Sequence, residues 1–226
     1  MSYNDRQIAR VAGGLIILGI ISGLLSIVPS VEKANFLEEV YPNRNQVYTG
    51  ALFQFFLVPI YVGFSLLLHS VLRHYDKTLS AGFVGFRFMA AAFQLIGVIL
   101  LPLFVLLSQE YLESDTMNPA LCVSLGKFLR LSRDLTNHLG VILATGLGNL
   151  LLYWLLYKEK LVPKWLSLWG FLGNGMILLA SILILFQSIE VVSTEYGLLS
   201  APLVIQEIVL AIWLLTRGIQ VKGFRE

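Results

Sequence analysis

Six stretches of this chain are too long and too apolar to be hidden together in water. They run from Val11 to Val28, Thr49 to Leu72, Ser80 to Ser108, Leu135 to Tyr157, Pro163 to Gln187 and Leu198 to Arg217. About 18 apolar residues with few charges suffice to cross a hydrocarbon core as a helix. In lipid every backbone N–H and C=O must be satisfied within the spanning structure, which for isolated apolar runs of this length means helices. The expectation is an all-α polytopic membrane protein, a single domain over residues 1–226 built as a bundle of six transmembrane helices. Composition agrees: 57% of residues are apolar and 13% charged, where a soluble domain carries roughly 25% charged. A chain of this size buries only about 70% of its unfolded surface, so an aqueous fold would leave large apolar patches exposed.

Arg6 and Arg10 precede the first stretch as they would a secretory leader. The apolar run exceeds the roughly 7 to 15 residues of a leader, and Val28-Pro29-Ser30-Val31-Glu32 offers no small-x-small cleavage site. It is read as a retained helix. Orientation follows from Lys and Arg in the short flanks. With the N-terminus inside, the cytoplasmic segments hold Arg6, Arg10, Arg73, Lys77, Lys158, Lys160, Lys164, Arg217, Lys222 and Arg225, against Lys33, Arg44, Lys127, Arg130 and Arg133 outside. Ten against five places both termini in the cytoplasm. Glu32, Glu38, Glu39, Glu110, Glu113, Asp115, Asp134, Glu190 and Glu195 then all fall outside. Trp154, Trp165, Trp169 and Trp213 lie near span ends, mostly inner ones, as an interfacial belt requires.

Two outer connections exceed a turn. Val31 to Val47 has room for a short helix broken at Pro42-Asn43. From Asn118-Pro119 to Asp134, apolar residues recur at helical spacing beside Lys127, Arg130 and Asp134, which suits an interfacial helix or an outward extension of the fourth span. No internal repeat is visible, so nothing points to an inverted-repeat transporter.

Buried polar residues are the place to look for function, because intramembrane ionisable groups are costly. Arg87 lies about seven residues into the third span, and an Arg near a helix centre costs about 2.5 to 3.5 kcal/mol, which a dozen apolar neighbours at about 0.3 to 0.6 each outweigh. Its charge still seeks a partner or water. Glu207, near the middle of the sixth span, is the candidate partner, and an Arg87 to Glu207 ion pair or ligand site inside the bundle is the expectation. Packing alone, or Arg87 snorkelling to the headgroups, are the plainer alternatives. Gln94 stands seven residues beyond Arg87 on the same face. Gln54, Asn149, Asn174 and Gln206 read as interhelical hydrogen-bonding amides. Lys127, Arg130, Asp134 and His138 form one helical stripe at the outer end of the fourth span. Such a stripe lines an outer vestibule or is simply a solvated face.

Several classes of function receive no support. His69 and His74 fall at the inner edge and His138 at the outer, so most of the roughly 30 Å core separates them, too far for one haem or one zinc. Cys122 is the only cysteine. No nucleophile elbow, phosphate loop or His-Glu-x-x-His is present, so neither a catalytic set, a metal nor a cofactor is expected. A net charge of +2, with the basic residues scattered, speaks against nucleic acid. The expected partners are the lipid bilayer and a small-molecule ligand, and Gly19-x-x-x-Gly23 admits a homo-oligomer. Pro59 and Pro102 each deprive a carbonyl, that of Phe55 and of Val98, of its helical donor.

A family resemblance is carried by four runs: Ile8-Ala9-Arg10-Val11-Ala12-Gly13-Gly14, Gly85-Phe86-Arg87-Phe88, Leu161-Val162-Pro163-Lys164, and Glu207 with Leu210-Ala211-Ile212-Trp213-Leu214-Leu215. Together they resemble a bacterial multi-pass membrane family known only as a domain of unknown function, over nearly the whole chain. The resemblance implies the bacterial cytoplasmic (inner) membrane and supplies no activity. Members of that family usually carry a Glu three residues after the Arg of the third span, and Ala90 stands here. Two classes of function remain: a binding or transport protein for a small polar or anionic ligand near Arg87, Gln94 and Glu207, and a non-catalytic structural or regulatory module with a dry interior.

Overall fold

The computed structural model describes residues 3–114 and 118–220. Asp115, Lys222 and Arg225, counted above for orientation, lie outside the described residues. Among the described residues the regular structure is helical throughout, and six helical lengths are apolar and long enough to cross a membrane.

The spans are α1 (Tyr3–Leu25), α4 (Arg44–Leu72), α5 (Lys77–Glu113), α7 (Leu143–Lys158) with the segments leading into it, α8 (Lys164–Leu185) and α9 (Thr194–Thr216). Two short helices, α2 (Pro29–Glu32) and α3 (Phe36–Glu39), fill the first long connection, where one had been expected. The second long connection is α6 (Pro119–Leu135), which runs through a π-helical turn over Thr136–Ile142 straight into α7. Of the two alternatives, the outward extension of the fourth span is the one formed.

Local chemistry starts and stops these helices. Asp76, Asn118 and Ser193 accept from the backbone N–H of Leu79, Ala120 and Tyr196 and so cap α5, α6 and α9. At the other ends, Lys160 and Gln187 adopt left-handed φ of 57° and 54°, and the next amides, of Leu161 and Ser188, donate back to Leu156 and Leu183. Pro59, Pro102 and Pro202 lie inside α4, α5 and α9, and the helices continue past them.

The six spans close a ring. α1 packs on α4, α4 on α5, α5 on α7, α7 on α8, α8 on α9, and α9 returns to α1. Both ends of the ring are filled. At the face bearing the termini, Ala9, Leu72, Leu156, Leu161, Leu214 and Ile219 belong to one buried apolar cluster. At the opposite face, Val28, Phe36, Val40, Leu101, Phe104 and Cys122 belong to a second. The second is held by polar ties: the Ser108 hydroxyl donates to Leu37 O (2.6 Å) and accepts from Tyr41 N–H (2.9 Å). Gly126 of α6 leaves room for the Phe36 ring, which an added Cβ would meet at 2.3 Å. The middle of the ring, between these plugs, is hollow.

Candidate functional site: a polar chamber inside the bundle

At about 1.5 Å per residue, Arg87 in α5, Asn149 in α7, Asn174 in α8 and Glu207 in α9 all stand roughly 13 to 15 Å from the terminus-bearing ends of their helices. Four helices thus deliver polar groups to one level near the middle of a hydrocarbon core. All four residues line a cavity of about 370 Å³, within the usual size range of ligand pockets.

Arg87 is 7% exposed and held against the α7 and α8 wall. Its Nη2 donates to Asn149 Oδ1 (2.6 Å), Asn149 Nδ2 donates to Asn174 Oδ1 (3.1 Å), and Asn174 Nδ2 donates to Gly170 O (2.7 Å). This relay passes the charge's polarity to a backbone carbonyl, and each amide orients the next. The rings of Phe64, Phe83 and Tyr61 lie 5.1, 5.5 and 5.6 Å from the guanidinium carbon. Cation–π attraction of this kind grows when water is excluded. Nε is enclosed without a hydrogen-bond partner among the described residues. Nη1, in none of the hydrogen bonds among those residues, is the nitrogen left for an occupant of the cavity.

Glu207 faces Arg87 across the hollow and does not touch it. Among the described residues the ion pairs are Lys33–Glu39, Arg133–Glu32 and Arg133–Asp134. The expected Arg87–Glu207 contact pair is therefore absent, for a topological reason: α5 and α9 sit opposite each other in the ring, and Asn149 draws the guanidinium to the far wall. The two charges remain within electrostatic reach. Below them Tyr153 Oη donates to Gln206 Oε1 (2.7 Å), and Gln206 Nε2 donates to Leu166 O (3.3 Å), tying three helices together. Gly170 makes room for that tyrosine, whose ring an added Cβ would meet at 2.4 Å.

A second cavity, of about 330 Å³, lies toward the opposite face. Gln94 lines this one and not the first, together with Gln54, Asp134, Arg133 and Glu32. Two turns further along α5 carry it past Tyr61, which with Gly23 and Leu57 lines both cavities. The shared face of Arg87 and Gln94 thus serves two chambers instead of one.

Residues 11–218 match the family described as Domain of unknown function (DUF4386). The chain belongs to that family. No curated protein and no solved structure matches it. The DUF4386 match begins within α1 and runs past the end of α9, so every residue lining the two cavities lies inside it.

In this DUF4386 chain the stripe of Lys127, Arg130, Asp134 and His138 does not line one vestibule. Lys127 is exposed. Arg130 Nη2 donates to Val31 O and Lys33 O, both at 2.6 Å, and its guanidinium lies 4.5 Å from the Phe36 ring centre, clamping the end of α2. Only Asp134 reaches the second cavity, alongside Arg133, which pairs with Glu32. His138 is buried within the π-helical turn, edge-on to the Tyr196 ring at 5.2 Å. That turn bears on His138 alone, whose register its wider winding shifts; Lys127, Arg130 and Asp134 all precede it in α6. Thr136, Asn137 and Val141 of the turn line the second cavity and Ile142 the first. Gly140 within it accommodates Phe93, whose ring an added Cβ would meet at 2.4 Å. Ala90 packs with Val141 and Ala144.

Proposed function

We propose that this integral membrane protein binds, and in the fullest form of the reading transports, a small polar or anionic ligand in the chamber between Arg87 and Glu207. One observation carries the reading: a guanidinium, Arg87, and a carboxyl group, Glu207, line one cavity and are not joined by a contact pair. A role in packing alone calls for a dry interior without a chamber, and the relay through Asn149 and Asn174 would then have no need of a hollow beside it. Intramembrane ionisable groups facing a cavity mark ligand and ion paths. In the same reading the protein sits in the bacterial cytoplasmic membrane with both termini cytoplasmic, as its basic flanks favour.

The test uses purified full-length protein in phosphatidylcholine nanodiscs, with thermal midpoints recorded against a panel of small polar and anionic solutes. At least one solute is expected to raise the wild-type midpoint, with at least a tenfold weaker apparent affinity in both Arg87→Ala and Glu207→Ala. Unchanged responses in both variants, together with unchanged flux in liposomes, overturn the reading.

A further inference from the structure

The chamber wall is mixed. Arg87, Asn149 and Asn174 stand on α5, α7 and α8, while α1 presents Ile20 and Leu24 and the first half of α9 presents Val204 beside Tyr196 and Ser200. Leu24 and Val204 line the chamber and are also 64% and 46% exposed. A residue that faces both the chamber and the exterior marks a gap in the wall.

The glycines of α1 explain the gap. At Gly13 an added Cβ would stand 2.9 Å from Ala211 O, so α1 and α9 are pressed together toward the terminus-bearing face. Further along, a Cβ on Gly19 would meet only Ile60 of α4, at 3.5 Å, and one on Gly23 would meet nothing within 4 Å. Gly19 and Gly23 both line the chamber, so the α1 wall carries no side chain at those two points. In a bilayer the exposed flanks of α1 and α9 border acyl chains, so this opening leads to lipid.

We infer that the chamber takes an uncharged amphiphile laterally from the leaflet opposite the termini, its hydroxyl or amide head between Arg87 and Glu207 and its hydrocarbon tail leaving between α1 and α9. The inference rests on the reading of the chamber as a ligand site. Three arguments select this class. With Glu207 ionised opposite Arg87 the two carry no net charge, so an ionic head would add an unbalanced charge at mid-membrane depth. A hydroxyl or amide both accepts from Arg87 Nη1 and donates to the Glu207 carboxylate, which makes no hydrogen bond among the described residues. Finally, an uncharged polar head crosses hydrocarbon at a cost of a few kcal/mol, whereas an ion costs far more, so a lipid-side entrance suits the former.

The probe is monolauroylglycerol carrying a diazirine in its tail, added to the full chain in phosphatidylcholine nanodiscs and photolysed. Labelling is expected on α1 and α9 peptides near Leu24 and Val204, competed away by unlabelled monolauroylglycerol and at least tenfold less well by laurate, dodecyl phosphate or methyl laurate. Arg87→Met and Gly23→Trp should each reduce competed labelling at least fivefold, the second by filling the gap without touching the charges. Labelling spread over the lipid-facing surface, or undiminished in Gly23→Trp, overturns the lateral route. Glycerol or another tail-free solute binding with no advantage from a tail overturns the amphiphile and leaves the chamber a ligand site. Failure of every probe and solute removes both readings.

Discussion

Ser108 shows how much one hydroxyl can decide where water is absent. It donates to Leu37 O in α3 and accepts from the N–H of Tyr41 just beyond that helix. Ser108→Ala should cost about 1 to 3 kcal/mol, since it strands a buried N–H and a buried C=O. Ser124, exposed and bonded only to Ala120 O one turn back, should tolerate the same change within about 0.5 kcal/mol. Denaturant titration in mixed micelles separates the two, and equal costs would contradict the assigned ties. Asn149 is the corresponding residue of the chamber. Its carboxamide oxygen takes the Arg87 bond and its nitrogen orients Asn174, so Asn149→Leu should cost at least about 2 kcal/mol by removing a bond to a charged group.

Helices α1 and α9 are where glycine placement is decisive. Gly13 and Gly14 are neighbours in sequence with opposite surroundings: a Cβ on the first meets the Ala211 carbonyl, and one on the second meets nothing within 4 Å. Gly13→Ala should therefore loosen the α1–α9 contact and cost about 1 to 3 kcal/mol. Gly14→Ala should be neutral or gain up to about 1 kcal/mol from helix propensity. Thermal midpoints of the two variants, measured side by side, check the assignment. The end of α8 offers an opposite case. Gln187 holds a left-handed φ of 54°, a conformation that costs a residue with a Cβ about 1 kcal/mol or more, so Gln187→Gly should raise stability by up to about 1 kcal/mol. A loss instead would mean that the Gln187 side chain contributes more than its backbone costs.

Across the whole molecule, the described residues form a ring with an apolar cluster toward each end and two cavities between them. The two ends of the described chain, Tyr3 and Gln220, lie at one face because six spans separate them. The excess of basic residues at that face predicts that reporters fused to either end behave as cytoplasmic: fluorescent protein folds and glows, and alkaline phosphatase stays inactive. An active phosphatase at either end would require the orientation to be redrawn.

The spans themselves were legible in the sequence because a segment's preference for lipid over water depends on its local composition and length, and the chain encodes both in consecutive residues. Arg87 and Glu207 stood out for the same reason, each against its own neighbours, whereas the outward extension of the fourth span was one of two alternatives its spacing allowed. What the sequence left open was decided by how the helices close. Asn149 meets Arg87 from 62 positions away, Glu207 faces it from the opposite wall, and the π-helical turn moves His138 off the stripe its spacing suggested. Those placements depend on which helix stands beside which and on single glycines that let rings or carbonyls approach. Such close-range complementarity arises only when distant segments pack, and no periodicity along one segment records it.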